Sequence, residues 1–303
     1  MKLSILTATY NRANFLEKLY NSILKNLDNS LEVEWLIMDD GSNDETQEII
    51  KEFKNKSNFV IKSFKQHNQG KMHAINNLMK YANGECIIEC DSDDVFMENS
   101  LKIIKNKMNI LLENENLYAL VFLKKENENK LSGNKFKYEN VDTTMFDLYF
   151  KQEIFGEKIL LYKSSIRKQY KYILENNERF CTEARMHHKI DLNYNVRCFN
   201  EALIQGQYQS DGYTKNIKKV FLENPIGFYK YFQEILERKT KGITIKKRMY
   251  VIKQYILFTY LSKKSISINT IEELINKILV IMLYIPGIYK SRKFLKEYNN
   301  RSQ

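Results

Sequence analysis

The sequence predicts an α/β fold built around a parallel sheet, and three observations carry that expectation. Short apolar or β-branched runs alternate with longer stretches of helical spacing near the amino terminus. Each intervening stretch is long enough for a crossover helix. Polar turn residues close every run.

The runs at 3–8, 34–38, 59–64 and 86–90 read as strands. Between them Phe15, Leu19, Ile23 and Leu24 share one helical face, as do Ile49, Ile50 and Phe53, and then Ala74, Leu78 and Tyr81. This βαβαβαβ order implies parallel strands covered by helices on both faces. A helix at 98–112, a strand at 117–123 and a polar, lysine-rich excursion at 126–140 come next. Strands follow at 159–162 and 196–207, with a helix at 183–193 between them. From Ile217 the pattern is helical, over 220–236, 245–262 and 271–298, and there is no internal repeat.

At 303 residues and 43% hydrophobic content the chain can build one large or two small domains. Its 28% charged residues and only two prolines exclude collagen-like and wholly disordered classes. The net charge of +11 is concentrated: residues 1–237 hold 33 basic against 34 acidic side chains, whereas 238–303 hold 15 against 3. A neutral body of 1–216 and a basic helical region of 217–303 are therefore expected. Four cysteines without a CxxC pair indicate reduced thiols in a cytoplasmic protein rather than a disulfide framework or a zinc site. The first apolar run is too short for a secretion signal. The apolar stretch at 278–289 is broken by Pro286 and Gly287, so no membrane-spanning helix is expected.

Sheets of this kind bind ligands at the carboxyl ends of their strands. The residues there are Thr9-Tyr10-Asn11-Arg12, Asp39-Asp40-Gly41-Ser42, His67-Asn68-Gln69-Gly70-Lys71 and Asp91-Ser92-Asp93-Asp94. Three aspartates in four residues repel one another unless a cation neutralises them. A hard ion such as Mg2+ or Mn2+ accepts carboxylate oxygens, bridges to a nucleotide diphosphate and offsets the charge of its departure. The same residues suit a helix cap near Glu98, but their place after the fourth strand, with Asp39-Asp40 after the second, favours the metal. A carboxylate after the second strand can accept from a base N–H or a ribose hydroxyl, and Tyr10 offers a ring face for stacking. Asp39 to Asp44 also reads as a turn with a helix cap, and both readings can hold together.

In order and spacing, residues 4–12, 34–46 and 84–94 resemble glycosyltransferase family 2, the inverting nucleotide-sugar enzymes of GT-A fold, and the likeness extends over residues 3–210. That resemblance implies a mixed sheet flanked by helices, with a helical C-terminal extension. It implies that Tyr10 packs on uracil, Asp40 bonds the base, Asp91 faces the ribose and Asp93 ligates the metal. Arg12 and Ser92 fall in the same donor motifs, and Asp91 joins Asp93 at the metal. Ala8 departs from the threonine common in the family, which removes one nucleotide contact. Lys71, in the segment that passes near the phosphates, could offset diphosphate charge. The family places the catalytic base on the helix after the donor site, where the usual Glu-Asp pair reads Glu183-Ala184. Glu183 is thus the expected base, with Glu178 and Asp191 as alternatives and His187 one turn away to orient it. Residues 207–214 fall where related enzymes close over the donor.

The function so implied is metal-dependent transfer from a UDP-sugar to a hydroxyl of a glycan or lipid-linked glycan, in capsule, lipopolysaccharide or glycoprotein glycan assembly. A GT-A domain kept as a binding scaffold is the non-enzymatic alternative. In the basic region, Lys246, Lys247, Arg248, Lys253, Lys263 and Lys264 interleave with Tyr250, Ile252, Ile256, Leu257 and Tyr260. That pattern suits an anionic membrane surface at the inner face of the cytoplasmic membrane, or packing on the catalytic domain or on a second subunit in a homodimer. Nucleic acid is not expected as a partner, because it would leave the four strand-end loops unexplained.

Overall fold

The computed structural model describes residues 1–28, 30–175, 178–206, 216–239 and 242–300. Residues 207–214, expected to close over the donor, lie outside them. The chain divides into two compact units, Met1–Tyr172 with Met186–Ser210, and Ile173–Arg185 with Asp211–Gln303.

The first unit opens with β1 (Lys2–Thr9), α1 (Ala13–Asn26), β2 (Glu32–Asp39), α2 (Thr46–Lys56), β3 (Val60–Lys65), α3 (Lys71–Leu78) and β4 (Cys86–Glu89). It continues with β5 (Asp94–Phe96), α4 (Ser100–Glu113), β6 (Leu117–Asn127), β7 (Lys130–Leu131), β8 (Asp142–Thr143), α5 (Met145–Phe150), β9 (Lys158–Lys163) and α6 (Ser164–Arg167). Helix α7 (Glu183–Ile190) crosses the division between units, and β10 (Asn195–Gly206) completes the sheet.

The sheet order is β3-β2-β1-β4-β9-β6-β10-β5, with β7 beside β6 and β8 beside β10. Strands β3, β2, β1 and β4 are mutually parallel, as their crossover helices require. Beyond them β9 pairs antiparallel with both β4 and β6, so the sheet is mixed. The central strands are buried almost end to end: β2 exposes only Glu32, and the first eight residues of β6 are all buried. Their core includes Leu3, Ile5, Trp35, Ile37, Ile88, Leu120 and Phe122, with Leu16, Leu19 and Ile23 of α1 and Ile104 and Met108 of α4 packed on it.

The second unit is helical: α8 (Ile217–Glu223), α9 (Pro225–Leu236), α10 (Ile245–Leu261) and α11 (Leu274–Asn299). The single helix expected over 220–236 is two. Proline at 225 disfavours helical geometry at Asn224, whose φ of −132° breaks the run, and Pro225 then starts α9, where its missing N–H costs nothing. Phe228, Phe232 and Phe258 stack, and Phe221 meets Phe228 and Phe258 edge-on, in an aromatic core joining α8, α9 and α10.

Candidate active site

Because β3, β2, β1 and β4 run parallel and side by side, the loops leaving their carboxyl ends meet at one edge. The first two loops are tied together. Ser42 Oγ accepts from the Asn11 N–H at 2.9 Å, Asn11 Oδ1 accepts from the Asn43 N–H at 2.9 Å, and Asp44 Oδ2 accepts from the Ala13 N–H at 3.2 Å. Asn11 takes a positive φ of 50°, which asparagine tolerates. On this braced corner the Tyr10 ring is 43% exposed, open to stack on a planar ligand. Ala8 is partly buried on β1, and the neighbouring Thr9 Oγ1 is buried without a hydrogen-bond partner in the structure.

Asp39 and Asp40 are both buried. Asp39 closes its own turn by accepting from the Ser42 N–H at 2.8 Å. Asp40 reaches across to the third loop: Oδ1 accepts from Gln66 Nε2 at 2.7 Å and the Gln69 N–H at 2.9 Å, and Oδ2 from the Gly70 N–H at 2.7 Å. Three of the roughly four acceptor positions of this carboxylate are thereby taken. Gly70 has φ of 94° and ψ of 160°, a region only glycine enters without strain, and it lies directly before α3. Asp40 thus suspends the loop that delivers Lys71.

Lys71 opens α3, and its Nζ lies 2.7 Å from Asp91 Oδ1. Burial raises the Asp91 carboxyl, but the lysine's charge and hydrogen bond prevail and hold it below the ordinary value. Asp93 is the opposite case. Burial and the charge of Asp91 raise it, with Arg12 and Lys124 only partly offsetting them, and among the described residues no cation forms an ion pair with it. Ser92 is buried between the two. Asp94 turns inward on β5 to pair with Lys124 at 2.8 Å, and Lys124 also reaches Glu157 at 2.8 Å.

This donor set suits one kind of metal. Among the described residues no group of three or more His, Cys, Asp or Glu could hold a metal by itself. A carboxylate raised by its surroundings is relieved by a cation, so Asp93 fits a hard divalent ion that draws its remaining oxygens from water and from a phosphorylated ligand.

The family profile described as Glycosyl transferase family 2 matches residues 4–151, which end well past all four loops. An uncharacterized glycosyltransferase of Mycoplasma genitalium is 30% identical over 242 residues, covering 78% of this chain and 71% of that one. The chain belongs to glycosyltransferase family 2. The poly(ribitol-phosphate) beta-N-acetylglucosaminyltransferase TarS of Staphylococcus aureus is 32% identical over 102 residues, 34% of this chain and 18% of that protein. The crystal structure of TarS 1–349 in complex with UDP-GlcNAc covers 97% of this chain and 92% of its own at a TM-score of 0.60 and 17% identity, a likeness of fold. The GT-A architecture expected of this family is therefore present, mixed sheet and C-terminal helices included.

The family's base is sought around α7, and the structure separates its three candidates. Glu178 closes the start of α9, accepting from the N–H groups of Ile226 at 2.6 Å and Gly227 at 2.7 Å. Asp191 does the same for α5 through Met145 at 3.2 Å and Phe146 at 2.9 Å, and also accepts from the Tyr118 hydroxyl. Both have structural duties that explain them. Glu183 stands partly exposed as the first residue of α7, two positions before Arg185, which pairs with Glu175 at 2.9 Å and Glu234 at 2.8 Å. His187 hydrogen-bonds the Tyr162 hydroxyl at 2.8 Å.

Sequence reasoning missed the side chains behind the acidic loop. Arg167 is fully buried and pairs with Glu89 at 2.9 Å, while the Tyr172 hydroxyl donates to the other Glu89 oxygen at 2.7 Å. The Tyr172 backbone exchanges two hydrogen bonds with the Asn76 amide of the segment following Lys71. Glu89 lies two residues before Asp91, so this network fixes the end of β4 and braces α3 against it. The readable signals were a glutamate inside an apolar strand, and a lysine, Lys124, closing an unbroken apolar run: each requires a buried partner.

Proposed function

We propose that the chain transfers a sugar, with inversion, from a UDP-linked donor to a hydroxyl of a bacterial surface glycan, assisted by Mn2+ or Mg2+. The observation that carries this reading is the unequal state of the two edge carboxylates: Asp91 neutralised by Lys71, Asp93 left raised beside it. A diphosphate with its metal fits that pairing, the cation at Asp93 and phosphate oxygens toward Lys71 and Arg12. The donor and polymer named for TarS support the same class of substrates.

Each residue has a task in that reaction. Tyr10 stacks on the base, and Asp40 offers its remaining acceptor position to a base N–H. Asp91 accepts from a ribose hydroxyl. Ala8 and Ser92 border the nucleotide without a charged contact of their own. When bound, the metal neutralises the diphosphate as negative charge gathers on it. Glu183 accepts the proton of the acceptor hydroxyl as its oxygen attacks the anomeric carbon from the face opposite the diphosphate. The bond from that carbon to the diphosphate oxygen breaks, and UDP leaves with the electron pair.

The test is a panel of UDP-sugars with the full chain and Mn2+, read as UDP release and as thermal shift. Turnover with one donor that is lost in both Asp93→Ala and Glu183→Ala supports the reading. Turnover surviving both substitutions, or no shift with any uridine nucleotide, overturns it.

A further inference from the structure

Helix α11 carries two opposite faces, and only one is accounted for by the fold. Asn276, Val280 and Ser291 are buried, and Gly287 sits so close to α10 that a Cβ there would lie 2.8 Å from Ile256 Cγ2. Asn276 Oδ1 accepts from Arg248 of α10 at 3.0 Å. That row is packed along α10. On the other side Leu274, Ile278, Ile281, Met282, Ile285 and Tyr289 are exposed, Ile281 by 63% and Ile285 by 80%. At 3.6 residues per turn they fall within about 120° of one another, and the same stripe continues through Arg292, Lys293 and Lys296, all exposed.

The apolar residues expected to face a membrane on α10 do not all do so: Ile252 and Ile256 are buried with Val251, Tyr255 and Phe258 inside the helical unit. Their burial leaves α11 as the outward apolar surface. It is a 26-residue helix that runs unbroken through Pro286, long and apolar enough by composition to cross a bilayer, contrary to the sequence expectation. Yet its buried row is fastened to α10, and Lys277, Arg292, Lys293 and Lys296 lie along it. A helix so attached lies along a bilayer surface rather than across it.

We propose that this face of α11 seats the protein on an anionic lipid bilayer, the apolar row from Leu274 to Tyr289 entering the interface and Arg292, Lys293 and Lys296 meeting lipid phosphates. Charge complementarity selects this occupant. Residues 238–303 hold 15 basic side chains against 3 acidic ones, and of those three Glu273 is paired with Arg248 and Glu297 lies 3.9 Å from Lys293 in an exposed pair that solvent and lipid phosphate can replace. A second copy of the helix would bring the same basic stripe with almost no carboxylate to answer it. An anionic bilayer answers both halves, hydrocarbon for one and phosphate for the other. Tyr289, between the halves, has the ring and hydroxyl that suit headgroup depth. The surface deepens the acceptor reading by naming where a lipid-carried glycan would be met, and rests on that reading for its purpose alone.

The experiment is flotation of the full chain with vesicles of phosphatidylcholine, with and without phosphatidylglycerol, at low and high salt. The paired variant Ile281→Glu with Ile285→Glu changes two well-exposed positions and leaves the α10 contact intact. The wild-type chain is expected to float with phosphatidylglycerol vesicles at low salt, and the variant to bind on the order of tenfold more weakly. Its thermal shift with UDP and Mn2+ should match the wild type. A wild-type chain that stays at the bottom of every gradient, or a variant that floats equally well, overturns the proposal. So does a dimer in light scattering that the variant converts to monomer without any vesicle binding. Flotation without a UDP shift would fail the catalytic reading and keep the surface; a UDP shift without flotation would do the reverse.

Discussion

Lys71 Nζ lies 2.7 Å from Asp91 Oδ1, joining the first residue of α3 to the second residue beyond β4. Lys71 directly follows Gly70, whose N–H donates to Asp40 Oδ2 at 2.7 Å, so Asp40 sets where α3 begins. In the proposed reaction the lysine reaches phosphate only as long as that loop is in place. Lys71→Met is expected to weaken UDP binding by about tenfold, measured by titration with Mn2+. A half-exposed pair contributes only about 1 kcal/mol, so the apo melting temperature should move by no more than a few degrees.

Asp93→Asn separates function from stability. Ionised Asp93 is disfavoured by burial and by Asp91, so removing its charge should leave the apo melting temperature unchanged or slightly raised. Transfer should fall by at least about a hundredfold with the lost cation partner. A large drop in melting temperature with activity retained would contradict the assignment.

Glu183 and Glu178 should behave differently although both lie just before or at α7. Glu183→Gln is expected to abolish transfer with UDP binding intact. Glu178→Gln should instead lower stability by about 1 kcal/mol, because a single amide oxygen cannot replace the two carboxylate oxygens that accept separately from the Ile226 and Gly227 N–H groups of α9. Denaturant melts beside single-turnover assays distinguish the two.

Arg167→Met leaves Glu89 buried without its cation and is expected to destabilise the fold by about 3–5 kcal/mol in urea titration. Adding Glu89→Leu to that variant should recover part of the loss, since no buried charge then stands alone.

Acid should loosen the amino-terminal half of the sheet at a definable point. Burial raises Glu34, but hydrogen bonds from Ser4 Oγ at 2.6 Å and from the Asn83 N–H outweigh it, so its carboxyl lies below the ordinary 4.5. A carboxylate depressed in the folded state stabilises above its unfolded value and loses that contribution as pH falls through the folded one. Stability should therefore decline below pH 4.5 in the wild type, and decline less in Glu34→Gln, which urea titrations across that range will read.

The parallel half of the sheet was legible because β1, β2 and β4 are buried on both faces and its helices keep 3.6-residue spacing, as Ile5, Trp35 and Ile88 show against Leu16 and Leu19. The antiparallel insertion of β9 was not, because pairing direction leaves no mark on an apolar run such as 159–162. Nor was the division at Asn224 drawn, although Pro225 announces it. At the edge of the sheet, the placement of Asp91, Asp93 and Tyr10 beyond their strands could be read from position alone. That Asp40 serves a protein loop, or that Glu89 needs Arg167, depends on contacts across 30 and 78 positions of chain, which local pattern does not encode.

The acidic loop is followed by β5, whose only sheet neighbour among the described residues is β10, through Ile204, Gln205 and Gly206 against Phe96, Val95 and Asp94. About a hundred residues must be synthesised between the two. During translation, then, Asp91 and Asp93 emerge early but their downstream support arrives last, when the chain has passed Gly206. A nascent chain halted before that point has no partner for β5, the strand that ends the acidic loop, so the loop's own support is completed late in synthesis.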